Sequence, residues 1–303
     1  MKGLAEFVMR GRWQALLVTV AGAGSLLFCW ISAAALALVT LRKGAGSGVW
    51  LFVWALLPAG TLLYTFGDSG PLALLTGALV LALVLRNTVS LPLAVLSAVG
   101  VGAVTGVALM GFSGAYLDQM VTYFGEFLSN LEQQWSQGGQ AVEIPRPDAT
   151  QVAGMLGAGT ATMSVLCLLL TRYWQAALYK PGGVGEEFKS LYYPPMVSVV
   201  LILATLALLS LGPQYRTWAM NCLIPMNFAG LALVHAYVEL RGRGRGWLTG
   251  FYIAWLVFDP VKLLVVLLAI ADSWLNFRRR WSKRLGTEMI PPNKHKESDD
   301  QDN

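Results

Sequence analysis

The chain has 303 residues, of which 55% are hydrophobic and only 13% charged, with a mean hydropathy of +0.56. That balance excludes an ordinary soluble domain and, with apolar runs long enough to cross a bilayer, points to a polytopic membrane protein. The net charge of +5 comes from Lys and Arg between the apolar runs, so it reports orientation in a membrane, and no nucleic-acid partner is expected.

The first apolar stretch, 15–41, follows Lys2, Arg10 and Arg12. It lacks a small-residue cleavage site before a polar region and reads as a retained membrane segment. At 27 residues it would form a helix of about 40 Å, longer than a bilayer core, and Gly22-Ala23-Gly24-Ser25 offers a place to break it. Six segments then read as single crossings: 49–66, 71–85, 91–112, 151–171, 194–212 and 218–240. The second is short, about 22 Å at the helical rise. The last stretch, 247–274, is again too long for one crossing and is broken at Asp259-Pro260. The expected fold is all-α: a polytopic helical membrane bundle of six spans plus broken or hairpin segments at both ends, in one domain over 1–285.

Charge counting decides what the end segments do. If each crosses once, the loop Lys and Arg divide ten against nine, which is no bias. If each returns to the side it started from, only Arg146 and Arg216 lie outside and the other seventeen, among them Arg42, Lys43, Arg86, Lys180, Arg243 and Arg278, lie in the cytoplasm. The positive-inside rule selects the second topology, with both termini cytoplasmic. Full hairpins and re-entrant loops both satisfy it, giving six to ten spans.

The loop 113–150 is then the one large outer region. Leu117, Met120, Val121, Phe124, Leu128 and Leu131 recur at spacings of three and four between Asp118, Glu126 and Glu132, which predicts an amphipathic helix. It suits either a surface helix packed over span ends or a lid on an outward-facing cavity. Gln137-Gly138-Gly139-Gln140 and Pro145-Arg146-Pro147 make a flexible return, and the tail 286–303 has too little apolar content to fold.

Soluble-enzyme signatures do not occur. His235 and His295 are the two histidines, and no HExxH, GxSxG or CxxC pattern exists. Glycines 182, 183 and 185 ahead of Lys189-Ser190 imitate a phosphate loop, but Glu186 and Glu187 intervene where glycine should precede Lys. Cys29, Cys167 and Cys222 sit in apolar segments as packing residues, so no metal, cofactor or catalytic residue is expected. His235 and Glu239, one turn apart beside Arg241, read as a snorkelling cap. Gly102 and Gly106 form one stripe of small residues and Ala153, Gly157 and Ala161 a second, suited to close helix packing or to docking a membrane partner. Polar groups at depth supply the candidate ligand-binding residues. Asn221 and Asn227 flank the helix-kinking Pro225, and Asp259 and Lys262, three apart, can pair across a turn.

The loop Ala177-Leu178-Tyr179-Lys180-Pro181-Gly182-Gly183-Val184-Gly185-Glu186-Glu187-Phe188 carries a likeness to a known family. So do the end segments Val257-Phe258-Asp259-Pro260 and Ala271-Asp272-Ser273-Trp274-Leu275-Asn276-Phe277-Arg278-Arg279-Arg280, together with the order of spans around one long amphipathic outer loop. In these the chain resembles the YybS-like predicted membrane proteins of bacteria. The resemblance implies a distant relation to the substrate-binding membrane components of energy-coupling-factor vitamin transporters, and it brings no catalytic residues. The expected function is that of a non-enzymatic protein of the bacterial inner membrane, a transporter or substrate-binding component for a small solute with an energising partner. The alternative is a membrane scaffold or assembly protein that docks others through its helix stripes and cytoplasmic loops.

Overall fold

The structure is a computed structural model that describes residues 2–137, 144–180 and 182–285. The expected disordered tail and the glycine turn at 138–140 lie outside them. In chain order the described helices are α1 (Lys2–Arg10), α2 (Arg12–Ala23), α3 (Cys29–Lys43), α4 (Ala45–Phe66), α5 (Gly70–Thr88), α6 (Leu91–Phe112), α7 (Gly114–Gln137), α8 (Ala149–Tyr179), α9 (Gly183–Lys189), α10 (Pro195–Ser210), α11 (Arg216–Cys222), α12 (Ile224–Leu240), α13 (Arg245–Val257), α14 (Asp259–Leu275) and α15 (Phe277–Leu285). No strand occurs among the described residues. By packing, the chain divides into two compact units: Met1–Val184 with Val200–Pro225, and Gly185–Val199 with the described residues from Met226 onward.

Local punctuation sets the helix limits. Gly67 takes a left-handed conformation after α4, and Asp68 Oδ1 accepts a hydrogen bond from Gly70 N at 2.8 Å to start α5. Ser90 caps α6 with Pro92 in its first turn. Asp148 and Gln151 form a reciprocal capping box at the head of α8.

The core of the first unit is built around α3. Its residues Ser32 to Thr40 are all buried, because α2, α4, α5 and α8 pack around it. Small side chains permit that: a Cβ at Gly48 would stand 2.1 Å from Thr40 Oγ1, and one at Gly22 would stand 2.9 Å from Ser32 Cβ. Thr171 of α8 donates to the Ala34 carbonyl at 2.9 Å. Arg86 Nη1 donates to the carbonyls of Thr40 (3.2 Å) and Leu41 (2.8 Å), satisfying the C-terminal end of α3. The Arg42 guanidinium lies 3.6 Å over the ring of Tyr179.

Helices α2 and α3 form a hairpin. Its break runs from Gly24 to Phe28, two residues later than the glycines alone suggest, since α2 continues through Gly22 to pack on Ser32. At the tip, Gly24 meets Pro58 of α4 and the Cys29 thiol faces the Pro71 carbonyl at the start of α5. At the base, Arg12 and Ala15 of α2 line the same cleft as Val39 and Lys43 of α3, so the segment returns to the side of the unit on which it began. Its legs of 12 and 15 residues are about 18 and 22 Å long, each less than a bilayer core of ~30 Å.

Of the six expected single crossings, α4, α5, α6 and α8 are unbroken helices long and apolar enough to span. The fifth is only the 16-residue α10. The sixth is interrupted at Leu223, ahead of Pro225, and becomes a span only if α11 and α12 are counted together. The closing segment turns through 111° between α13 and α14. Among the described residues, four helices are thus long and apolar enough to span, or up to six if each bent pair counts as one, which accords with a helical membrane bundle. The cause of the bends is local: Pro225 cannot donate to the carbonyl four residues back, and Pro260 starts a helix more readily than it continues one.

In the second unit α12 and α14 touch at backbone level, with a Cβ at Gly230 placed 2.2 Å from the Val265 carbonyl. Asn276, left-handed at φ 51°, ends α14 and turns the chain into α15.

Candidate functional site

A cleft with room for a small ligand lies in the first unit, where α2 begins, α3 ends and α4 begins. It measures about 410 Å³, and its walls include Arg12, Lys43, Ser47 and Trp50 over an apolar floor of Ala15, Val39 and Leu51. Gly44, at φ 113°, makes the one-residue link between α3 and α4 in a conformation closed to L side chains, which sets Lys43 beside the first turn of α4. No carboxylate is among the lining residues, and neither Arg12 nor Lys43 forms an ion pair among the described residues. Of the other cations at this end, Arg86 is held by the α3 carbonyls and Arg42 lies over Tyr179. Two uncompensated cations over an apolar floor focus a positive potential into the cleft, and Ser47 adds a hydroxyl.

The other end of the unit is filled. Tyr116 of α7 donates to Asp68 Oδ1 at 3.2 Å. Burial, and then the charge and hydrogen bond of Asp68, push the Tyr116 hydroxyl up to about 12. The space behind α7 holds Leu109, Leu117, Val152 and Ala153, with Met120, Phe124 and Trp218 packed against them. The return segment is fastened to α7 by Arg146, whose Nη2 reaches Ser129 Oγ (2.9 Å) and Glu132 Oε2 (3.2 Å). This apolar contact agrees with the reading of α7 as a surface helix packed over span ends.

Of the residues singled out in the sequence, the small stripes come together. A Cβ at Gly157 would lie 2.4 Å from the Gly102 carbonyl, and one at Gly106 would lie 3.1 Å from the Ala153 carbonyl, so α6 and α8 meet backbone to backbone. Ala161 is buried one turn further along α8. Asn221 is 4% exposed. Its Nδ2 donates to the Val99 carbonyl at 2.9 Å, while its Oδ1 rests against Gly102 and has no hydrogen-bond donor. Asn227 belongs to the second unit and its Oδ1 is likewise buried without a donor. Asp259 and Lys262 pair at 2.8 Å in the first turn of α14, with Asp259 90% exposed. His235 does not pair with Glu239: it meets the Tyr252 hydroxyl at 2.7 Å, and Glu239 pairs with Lys189.

Sequence reasoning missed two groups. Arg12 and Lys43 count in the sequence only as orientation markers, although Arg42-Lys43-Gly44-Ala45-Gly46-Ser47-Gly48 already shows cations followed by small residues where α3 gives way to α4. The second group is Asp272 with Arg278. The Arg278 Nε lies 3.3 Å from Asp272 Oδ2, and its Nη atoms donate to the carbonyls of Lys189, Leu191 (2.8 Å) and Ala229 (3.3 Å). Asp272 Oδ1 also accepts from Phe277 N at 2.7 Å. An acid inside the last apolar run was the available signal. With the Arg278 Nη atoms bonded to carbonyls and its Nε beside Asp272 as an ion pair without a hydrogen bond, this cluster is a clasp between helices and not an open site. No protein-family model matches the chain, nor does any curated protein or solved structure.

Proposed function

We propose that the protein is a non-enzymatic component of the bacterial inner membrane that binds a small solute, as a transporter or as the substrate-binding component of one, with a partner supplying energy. The observation that carries this reading is the cleft of Arg12, Lys43, Ser47 and Trp50, a concave site with convergent polar groups on an apolar floor. It opens at the end of the unit where Arg42 and Arg86 gather, which the positive-inside rule assigns to the cytoplasm. Solute is therefore bound at the cytoplasmic face, not under α7. The resemblance to the YybS-like proteins, and through them to vitamin-transporter components, accords with that role.

The scaffold alternative loses its surface in part, because the Gly102 and Gly157 stripes offered for docking are occupied by each other. The deciding measurement is thermal melting of the detergent-purified protein against a panel of vitamins, amino acids and organic anions, since a ligand of the folded state raises apparent stability by mass action. A ligand whose effect disappears in Gly46→Trp, which fills the cleft from an unobstructed position, supports the proposal. If no compound shifts the melting of the parent, the binding function is wrong and a scaffold role takes its place.

A further inference from the structure

The cleft also constrains the chemistry of what it holds. We infer that it takes a phosphate-bearing ligand with an apolar portion, a proposal that rests on the binding role given above. Among its lining residues, Arg12 of α2 and Lys43 of α3 supply charge and Ser47 of α4 a hydroxyl. A tetrahedral oxyanion with several acceptor oxygens matches such scattered donors better than a planar carboxylate, which one bidentate partner would satisfy. Ser47 and Gly46 lie in the first turn of α4, whose amides have no acceptors within the helix and whose N-cap, Gly44, provides no side-chain oxygen. Trp50, Leu51 and Val39 would line the apolar portion, and a Trp beside cations is the composition of a lipid-headgroup boundary. The same chemistry serves two sources: the headgroup of an anionic phospholipid entering from the bilayer, and a free phosphate ester entering from water.

The experiment compares both sources on the full-length protein. Melting is followed in neutral detergent with inorganic phosphate, glycerol 3-phosphate, sulfate or glycerol at matched ionic strength. It is then followed in nanodiscs of phosphatidylcholine alone or with one-fifth phosphatidylglycerol. At ligand about 100-fold above Kd the melting temperature should rise by several degrees with the phosphate-bearing ligands and not with glycerol. A rise with glycerol 3-phosphate in detergent identifies a free ester, and a rise confined to phosphatidylglycerol nanodiscs identifies the lipid. Arg12→Gln with Lys43→Gln should weaken binding at least about tenfold, as loss of charge-assisted contacts requires, while Lys43→Arg preserves it. Gly46→Trp, which leaves both cations in place, should abolish the rise as well. A carboxylate or neutral solute that binds the parent while the phosphate-bearing ligands do not would overturn the phosphate assignment and leave the binding role standing. Equal binding by the parent and the double Gln variant would overturn the site itself.

Discussion

At the residue scale, glycines in this chain divide into those that face a neighbouring backbone and those that face open space. Gly157 belongs to the first kind, with the Gly102 carbonyl 2.4 Å from its would-be Cβ, whereas Gly159, two residues on, meets nothing within 4 Å. Gly157→Ala should therefore cost about 1–3 kcal/mol as α6 and α8 are forced apart. Gly159→Ala should leave thermal melting unchanged or raise it, because alanine favours the helix. Equal melting of the two variants would contradict the backbone contact. The Asp272 and Arg278 clasp makes a second test. Both side chains are largely buried, 3% and 13% exposed, and the guanidinium ties Asp272 to three carbonyls. Arg278→Met strands a buried carboxylate and should cost about 3–5 kcal/mol, while the same change at exposed Arg280 should be silent. Asp259 and Lys262 provide the contrast: their pair is open to the surroundings, so single and double alanine variants should melt together with the parent in a flat double-mutant cycle.

At the element scale, α7 is held to the unit by its first turns: Tyr116 to Asp68 and Leu117 to the tops of α6 and α8. The Tyr116 hydroxyl is neutral in the folded protein up to about 12, against 10.0 for the unperturbed group. A folded-state value above the unfolded one means the contribution is complete below pH 10 and is lost as the pH rises from 10 to about 12. Parent and Tyr116→Phe melting curves should thus run at a constant offset at neutral pH and converge across that interval; an offset independent of pH would place the hydroxyl away from Asp68. The amphipathic helix itself was legible in the sequence because its apolar residues recur at helical spacing. So were α4, α5 and α6, whose ends carry Gly67, Gly70-Pro71 and Ser90-Leu91-Pro92. The end of α8 was not. Hydropathy stops near Thr171, yet the helix continues to Tyr179, since no breaker intervenes, Trp174 is fully buried and Tyr179 supports Arg42. The clefts and clasps were illegible for a related reason: Arg12 with Lys43, and Arg278 with Lys189, are partners far apart in sequence, and a local pattern holds no trace of such a meeting.

At the scale of the whole molecule, the distribution of charge decides how the first unit lies in a membrane. Helix α4 connects Lys43 at its start to Asp68 beyond its end through 22 residues, about 33 Å, which matches the thickness of a bilayer core. Around its start are Arg10, Arg12, Arg42, Lys43 and Arg86. Beyond its far end lie Asp68, α7 and the capping box at Asp148, and the Gln151 side chain reaches the Pro213 carbonyl there, three residues before Arg216. Because the α2 and α3 hairpin returns to its starting side of the unit, the proposed topology puts Arg10 and Arg42 on the same face of the membrane; a single crossing by that segment would put them on opposite faces. The discriminating experiment places single cysteines at 10, 42, 86, 146 and 216, all exposed positions, in a background without Cys29, Cys167 and Cys222, and treats intact cells with an impermeant thiol reagent. Positions 146 and 216 should label from outside, and positions 10, 42 and 86 only after the cells are permeabilised. Labelling at 42 but not at 10 in intact cells would show a single crossing by the first segment. That result would break the hairpin and, with it, the cleft that needs Arg12 and Lys43 on one side of the membrane.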